Sequence, residues 1–138
     1  MNSLFRIAVL SCLACSVGCS GDDSGPPTVS VSGMITLDGT PVPEGEIIFR
    51  SADGGGGRAD AAQIKDGKFS MESTLGNKKV EIRALRPVAG ASTTTLETGE
   101  VGGEVEQYIP EQYNDKSTLN AEVSESGEKD FKFELTSQ

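Results

Sequence analysis

The sequence predicts an all-β domain, a seven-stranded Greek-key β-sandwich preceded by an N-terminal signal peptide and a short tether. Three observations carry that expectation. Helix-period apolar runs are missing after residue 20, whereas runs in which apolar and polar residues alternate recur along the chain. Glycine is frequent, at 17 of 138 residues, which suits short strands joined by tight turns rather than a helical bundle. Strand-like segments return at regular spacing with Asp-Gly pairs between them, as in a sandwich.

Residues 1–18 read as a signal peptide. Arg6 supplies the positive start, and Ile7, Ala8, Val9, Leu10, Leu13, Ala14 and Val17 supply the apolar stretch. At about a dozen residues that stretch is too short for a bilayer-spanning helix, which takes roughly 20. Residues 19–27 are a tether, kept flexible by Ser20, Gly21, Asp22 and Asp23 and stiffened at its end by Pro26 and Pro27. The domain occupies residues 28–138.

The first expected strand, residues 29–37, closes at Asp38-Gly39, a strong turn signal. A proline-set loop follows over residues 40–45. The second strand, residues 46–51, has Ile47, Ile48 and Phe49 as its apolar part, and residues 53–57 make a glycine-rich tip. Residues 61–65 and 68–73 form a hairpin across Asp66-Gly67, with Ile64, Phe69 and Met71 as core contacts. In the fifth strand, residues 78–85, Val80, Ile82 and Ala84 alternate with Lys79, Glu81 and Arg83, so one face is buried and the other wet. Residues 87–107 show no clean period and read as a long irregular loop. The sixth strand, residues 119–124, sets Leu119, Ala121 and Val123 on one face. The seventh, residues 129–136, points Phe131, Phe133 and Leu135 inward against Lys132 and Glu134.

The cysteines, Cys12, Cys15 and Cys19, all lie in the leader, whereas a disulfide framework would scatter them through the domain. Their setting resembles a bacterial lipoprotein lipobox, in which small residues precede a cysteine that is lipidated and becomes the new N-terminus. That chemistry needs a thiolate nucleophile. Cys19, in Ser16-Val17-Gly18-Cys19, leaves the better apolar length and no free thiol in an oxidising envelope. Cys15, after Leu13-Ala14, is the alternative. The expected location is the cell envelope, held to a membrane by lipid on the periplasmic or outer-surface side.

Charge and composition narrow the function. A net charge of -9 speaks against nucleic acid, whose phosphates need clustered Lys and Arg. Histidine is absent, which removes Ser-His-Asp and Cys-His nucleophilic sites and imidazole-based zinc sites. The domain is therefore expected to be non-catalytic and to need no cofactor. Ser126-Gly127-Glu128-Lys129 has the Ser-x-x-Lys spacing, but sits in a turn where no helix brings amine onto hydroxyl. Glu97, Glu100, Glu104 and Glu106 crowd the long loop with no compensating base. Calcium-loop spacing is missing, so a solvated acidic loop is expected rather than a metal site. Tyr108 and Tyr113 flank Pro110. They read as amphipathic core plugs whose hydroxyls bond backbone, with an aromatic platform for a sugar or peptide as the other reading. Tyr108, Tyr113, Glu97, Glu100 and Glu104 are the candidate contacts for a ligand or partner.

Three stretches resemble a known family. They are Val31-Ser32-Gly33-Met34-Ile35-Thr36-Leu37-Asp38-Gly39-Thr40-Pro41-Val42, the hairpin Ile64-Lys65-Asp66-Gly67-Lys68-Phe69, and Tyr108-Ile109-Pro110-Glu111-Gln112-Tyr113-Asn114-Asp115. Together they are similar to the transthyretin-like, carboxypeptidase-regulatory-like domain of bacterial envelope lipoproteins. The resemblance implies a prealbumin-like sandwich, usually without activity of its own. A transthyretin-related hydrolase needs active-site histidines. The Lys-Asn or Lys-Asp isopeptide of pilin-type sandwiches needs a first-strand Lys, which residues 29–37 lack. The expected function is a structural or interaction module that meets other envelope proteins. A binder of a small glycan, peptide or cation using residues 87–113 is the alternative.

Overall fold

Each segment in which apolar and polar side chains alternate becomes a strand in the computed structural model, which describes residues 25–54, 57–90, 94–95 and 101–138. In chain order the strands are β1 (Thr28–Leu37), β2 (Thr40–Pro41), β3 (Glu44–Ser51), β4 (Asp60–Lys65), β5 (Lys68–Thr74), β6 (Gly76–Arg83), β7 (Leu85–Pro87), β8 (Thr94–Thr95), β9 (Val101–Gly102), β10 (Val105–Gln107), β11 (Asn120–Val123) and β12 (Asp130–Leu135). A short 3₁₀ turn, Glu111–Tyr113, lies between β10 and β11.

The main sheet has eight strands in the order β11-β6-β3-β4-β5-β1-β12, with β2 paired back onto β1. Neighbours are antiparallel except β1 and β12, which run parallel from Ser32 opposite Asp130 to Leu37 opposite Leu135. The path itself holds seven strands, and β2 adds a short eighth that the sequence did not predict. Thr40 and Pro41, read as loop, lie against Leu37 and Thr36 after a turn at Asp38 and Gly39. Both turn residues have positive φ (50° and 81°), as the tight hairpin geometry requires.

One pair, Lys65 opposite Lys68, joins β4 to β5. Asp66 and Gly67 turn the chain there, again with positive φ. The strands then part, and the sheet curls until its two halves face one another. The core shows this contact directly. Phe49 of β3 is fully buried and meets Phe69 of β5 and Phe131 and Phe133 of β12 edge-on, at centroid distances of 6.2, 6.0 and 6.5 Å. Val31, Ile35, Ile47, Ile64, Val80, Ile82, Val123 and Leu135 complete the buried set. Phe133 and Leu135 are buried as expected, whereas Phe131 is only half-covered because it sits at the start of edge strand β12. Gly33 is indispensable to this closure: a Cβ there would lie 2.1 Å from the carbonyl oxygen of Phe131.

The curled sheet has two unlike ends. At the near end, where Gly25 leads into Thr28, Thr28 stands opposite Thr74. The carboxylate of Asp60 there accepts hydrogen bonds from the Thr74 amide (2.8 Å), the Thr74 hydroxyl (2.9 Å) and the Ser73 hydroxyl (3.2 Å). The Lys78 ammonium lies 3.9 Å from it, both side chains 2% exposed, and also donates to Thr74. This latch ties β4, β5 and β6 together across the opening between β4 and β5. The ten residues of β1, at about 3.3 Å each, separate it from the far end. There lie the Asp38-Gly39 and Asp66-Gly67 turns, the start of β3 and the end of β6.

Candidate functional site

The site is built where β6 stops. The expected strand ran on to Leu85, but its ladder with β3 ends at Arg83 opposite Glu46. Packing forces the break. Gly45 presses so closely that a Cβ would lie 2.5 Å from the Arg83 carbonyl and 2.9 Å from the Ala84 methyl. Ala84 then changes partners. Its amide donates to the Gln107 side-chain oxygen (2.8 Å), and its carbonyl accepts the Tyr108 amide (3.2 Å). From there the chain pairs with β10, Leu85 opposite Gln107, Arg86 opposite Glu106 and Pro87 opposite Val105. The Val88 amide continues the ladder to the Glu104 carbonyl at 2.9 Å. Further out, Thr94 and Thr95 of β8 oppose Gly102 and Val101 of β9. The described residues within 87–107 are thus no irregular loop: 87–88 pair with 104–105 and 94–95 with 101–102, two limbs of an arm.

Directly opposed residues in such a ladder share a face, and successive residues alternate. One face of the arm root holds Arg86, Glu106 and Tyr108. The Arg86 Nε–Glu106 Oε1 distance is 2.7 Å, and the guanidinium lies 5.4 Å from the Tyr108 ring centroid. Glu106 therefore does have a compensating base, contrary to the reading of the loop as uniformly unpaired acid. Burial pushes the Tyr108 hydroxyl above its ordinary pKa, partly opposed by the Arg86 charge. The other face holds Leu85, Pro87, Val105 and Gln107. Leu85 and Val105 are 59% and 56% exposed, the largest exposures among the big apolar side chains described.

Residues 108–115 seat the arm on the domain. Ile109 is buried in the core. Asn114, also buried, donates from Nδ2 to the carbonyls of Ile109 (3.0 Å) and Pro110 (3.3 Å), and its Oδ1 accepts the Asp115 amide. Asp115 in turn holds Arg83 at 2.7 Å. Arg83 also approaches Glu81, which Arg50 and Lys79 flank at 3.2 and 3.6 Å. The Tyr113 hydroxyl accepts the Thr136 amide at 3.2 Å, tying this segment to the end of β12.

Two shallow grooves flank Leu85. One, of about 600 Å³, runs past Glu44, Glu46, Arg83, Gln107 and Asp115. The other, of about 650 Å³, runs past Pro43, Lys65, Asp66, Pro87 and Tyr108. Tyr108 reaches the second groove with Arg86 lying over its ring, while Tyr113 is engaged with β12. The two tyrosines do not form a shared platform. Glu104 is exposed on the arm. Cys19, Glu97 and Glu100 lie outside the described residues. Among the described residues no three His, Cys, Asp or Glu side chains gather as a cation site, and no helix is long and apolar enough to cross a membrane.

Sequence reasoning missed the apolar pair Leu85 and Val105. A signal was present: Leu85-Arg86-Pro87 and Glu104-Val105-Glu106 each alternate over three residues, with opposite charges at Arg86 and Glu106. The runs are too short to stand out. The buried pair Asp60 and Lys78 was missed for a different reason, because only the fold brings these positions together.

No family model matches the chain, and neither does any curated protein. Among solved structures, a 9R-lipoxygenase from Cyanothece PCC8801 aligns at 12% identity with a TM-score of 0.35, over 79% of this chain and 16% of that one. A likeness that slight carries no argument about fold or activity.

Proposed function

We propose that the chain is an envelope lipoprotein, lipidated at Cys19, whose domain is a seven-stranded Greek-key sandwich of the transthyretin-like type acting as a non-catalytic interaction module. The observation that carries the module reading is the arm root. A two-stranded ribbon in water is marginal by itself, yet this one is braced by Gln107, Tyr108 and Ile109 and still holds Leu85 and Val105 more than half exposed. Large apolar side chains adjacent on one face are the mark of a surface that meets another protein. The strand map supports the fold type, because each of the seven segments expected from the sequence lies on the path of the curled sheet. The small-ligand reading has less support, since Arg86 already occupies the face of Tyr108.

Lipidation is tested by the mass of the protein purified from envelope membranes. The expected result is an N-terminal Cys19 carrying acyl chains, and a Cys19→Ser chain that stays unprocessed and unmodified. More than one chain is needed for firm anchoring, since each buried methylene contributes only about 0.8 kcal/mol. An unmodified Cys19, or a mature chain beginning at Cys15, overturns the assignment.

A further inference from the structure

We propose that the apolar face of the arm root docks a cationic segment of another protein, one that sets apolar side chains between lysines or arginines. This inference rests on the module reading above and names the chemistry of the partner. Leu85, Pro87 and Val105 form the apolar centre. Around it stand acids. Glu44 and Glu46 line the groove beside Leu85, Asp66 lines the other, and Glu104 precedes Val105 on the arm. The bases at this end are mostly engaged: Arg83 with Asp115, Arg86 with Glu106 and Lys116 with Glu111. Lys65, opposite Glu44 in the ladder, is the counterweight. The rim is therefore net acidic around an apolar centre, and its complement is a basic segment with apolar side chains. The same charges repel an anionic membrane surface. Strand addition along β7 is disfavoured, because Pro87 has no N–H to offer a new neighbour. The tether joins the near end, about a β1 length away, so the arm meets a partner approaching from the side away from the anchor.

The test uses the purified chain in detergent and two synthetic peptides with the same spaced valines and leucines, one interspersed with lysine and the other with glutamate. Binding is read by fluorescence anisotropy at low salt. The lysine peptide is expected to bind and the glutamate peptide not. Leu85→Ser with Val105→Ser, both exposed and outside the core, is expected to weaken binding about tenfold or more. Glu44→Lys with Glu104→Lys is expected to do the same. Glu125→Lys with Glu128→Lys, beyond β11 at the near end, is expected to change it less than about twofold, as distant surface charges do in screened solvent. Equal weakening by the near-end pair reduces the effect to bulk charge and overturns the proposal, as does indifference to the serine pair. The mass of the same preparation reports the lipid separately. Loss of peptide binding by a lipidated chain overturns the partner chemistry alone, and binding by an unlipidated chain overturns the anchoring alone.

Discussion

Asp60 shows how one carboxylate is made part of a fold. Burial pushes its pKa up. The Thr74 amide, the Thr74 and Ser73 hydroxyls and the Lys78 charge outweigh that push and hold it below its ordinary value of 3.8. A carboxyl whose folded pKa is depressed stabilises the fold above its unfolded pKa, and that contribution is lost as pH falls through the lower, folded value. Asp60→Asn weakens these bonds and leaves Lys78 buried without its counter-charge. We expect it to cost about 1–3 kcal/mol at pH 7 in urea denaturation, with the gap to the unaltered chain closing below about pH 4. A gap that stays constant through the acid range contradicts the role given to Asp60. Nothing in the local sequence announces the latch, since Asp60, Thr74 and Lys78 become neighbours only when β4, β5 and β6 are in place.

At the scale of elements, strands with sustained alternation were legible and the arm was not. Phe131, Phe133 and Leu135 alternate with Lys132 and Glu134 over a full strand, and such a period leaves one way to bury the apolar side. The arm limbs offer only three residues each, among Gly, Thr and Glu, so period alone does not separate them from loop. Alternation also says which face is inward but not which residue lies at the centre. Phe49 is the hub of the aromatic cluster, a rank its sequence neighbours Ile47 and Ile48 do not reveal. The two kinds of element should differ in their contribution to stability. Phe133→Ala opens a cavity beside Phe49 and Phe69 and is expected to cost about 3–5 kcal/mol, with Phe49→Ala at least as damaging. Replacing residues 89–103 by Asn-Gly joins Val88 to Glu104 at a ladder position that a two-residue turn can close. It is expected to shift stability by less than about 1 kcal/mol, because closure entropy varies slowly with loop length. Chemical denaturation of the variants side by side decides it. A larger loss from the deletion places the outer arm in the core.

Over the whole molecule, the proposed anchor and the proposed contact surface fall at opposite ends. Residues 25–27 lead into β1 beside the Asp60 latch at the near end, while the arm, its apolar face and the grooves beside Leu85 lie at the far end, braced by Ile109, Asn114 and the Asp115–Arg83 pair. The all-β class and most strands were legible because they follow from local period and turn chemistry. The proposed contact surface was not, because it depends on where β6 breaks, and that is set by Gly45 pressing on Arg83 and Ala84 from another strand. The proposed partner contact at the arm root can be probed in place. The most direct measurement places a photo-crosslinking side chain at Val105 in living cells, with a second at Ser126 near the opposite end as reference. A contact at the arm root gives a discrete cross-linked species from position 105, lost when Leu85→Asp is added and absent from position 126. No adduct from position 105, or an adduct that survives Leu85→Asp unchanged, contradicts it.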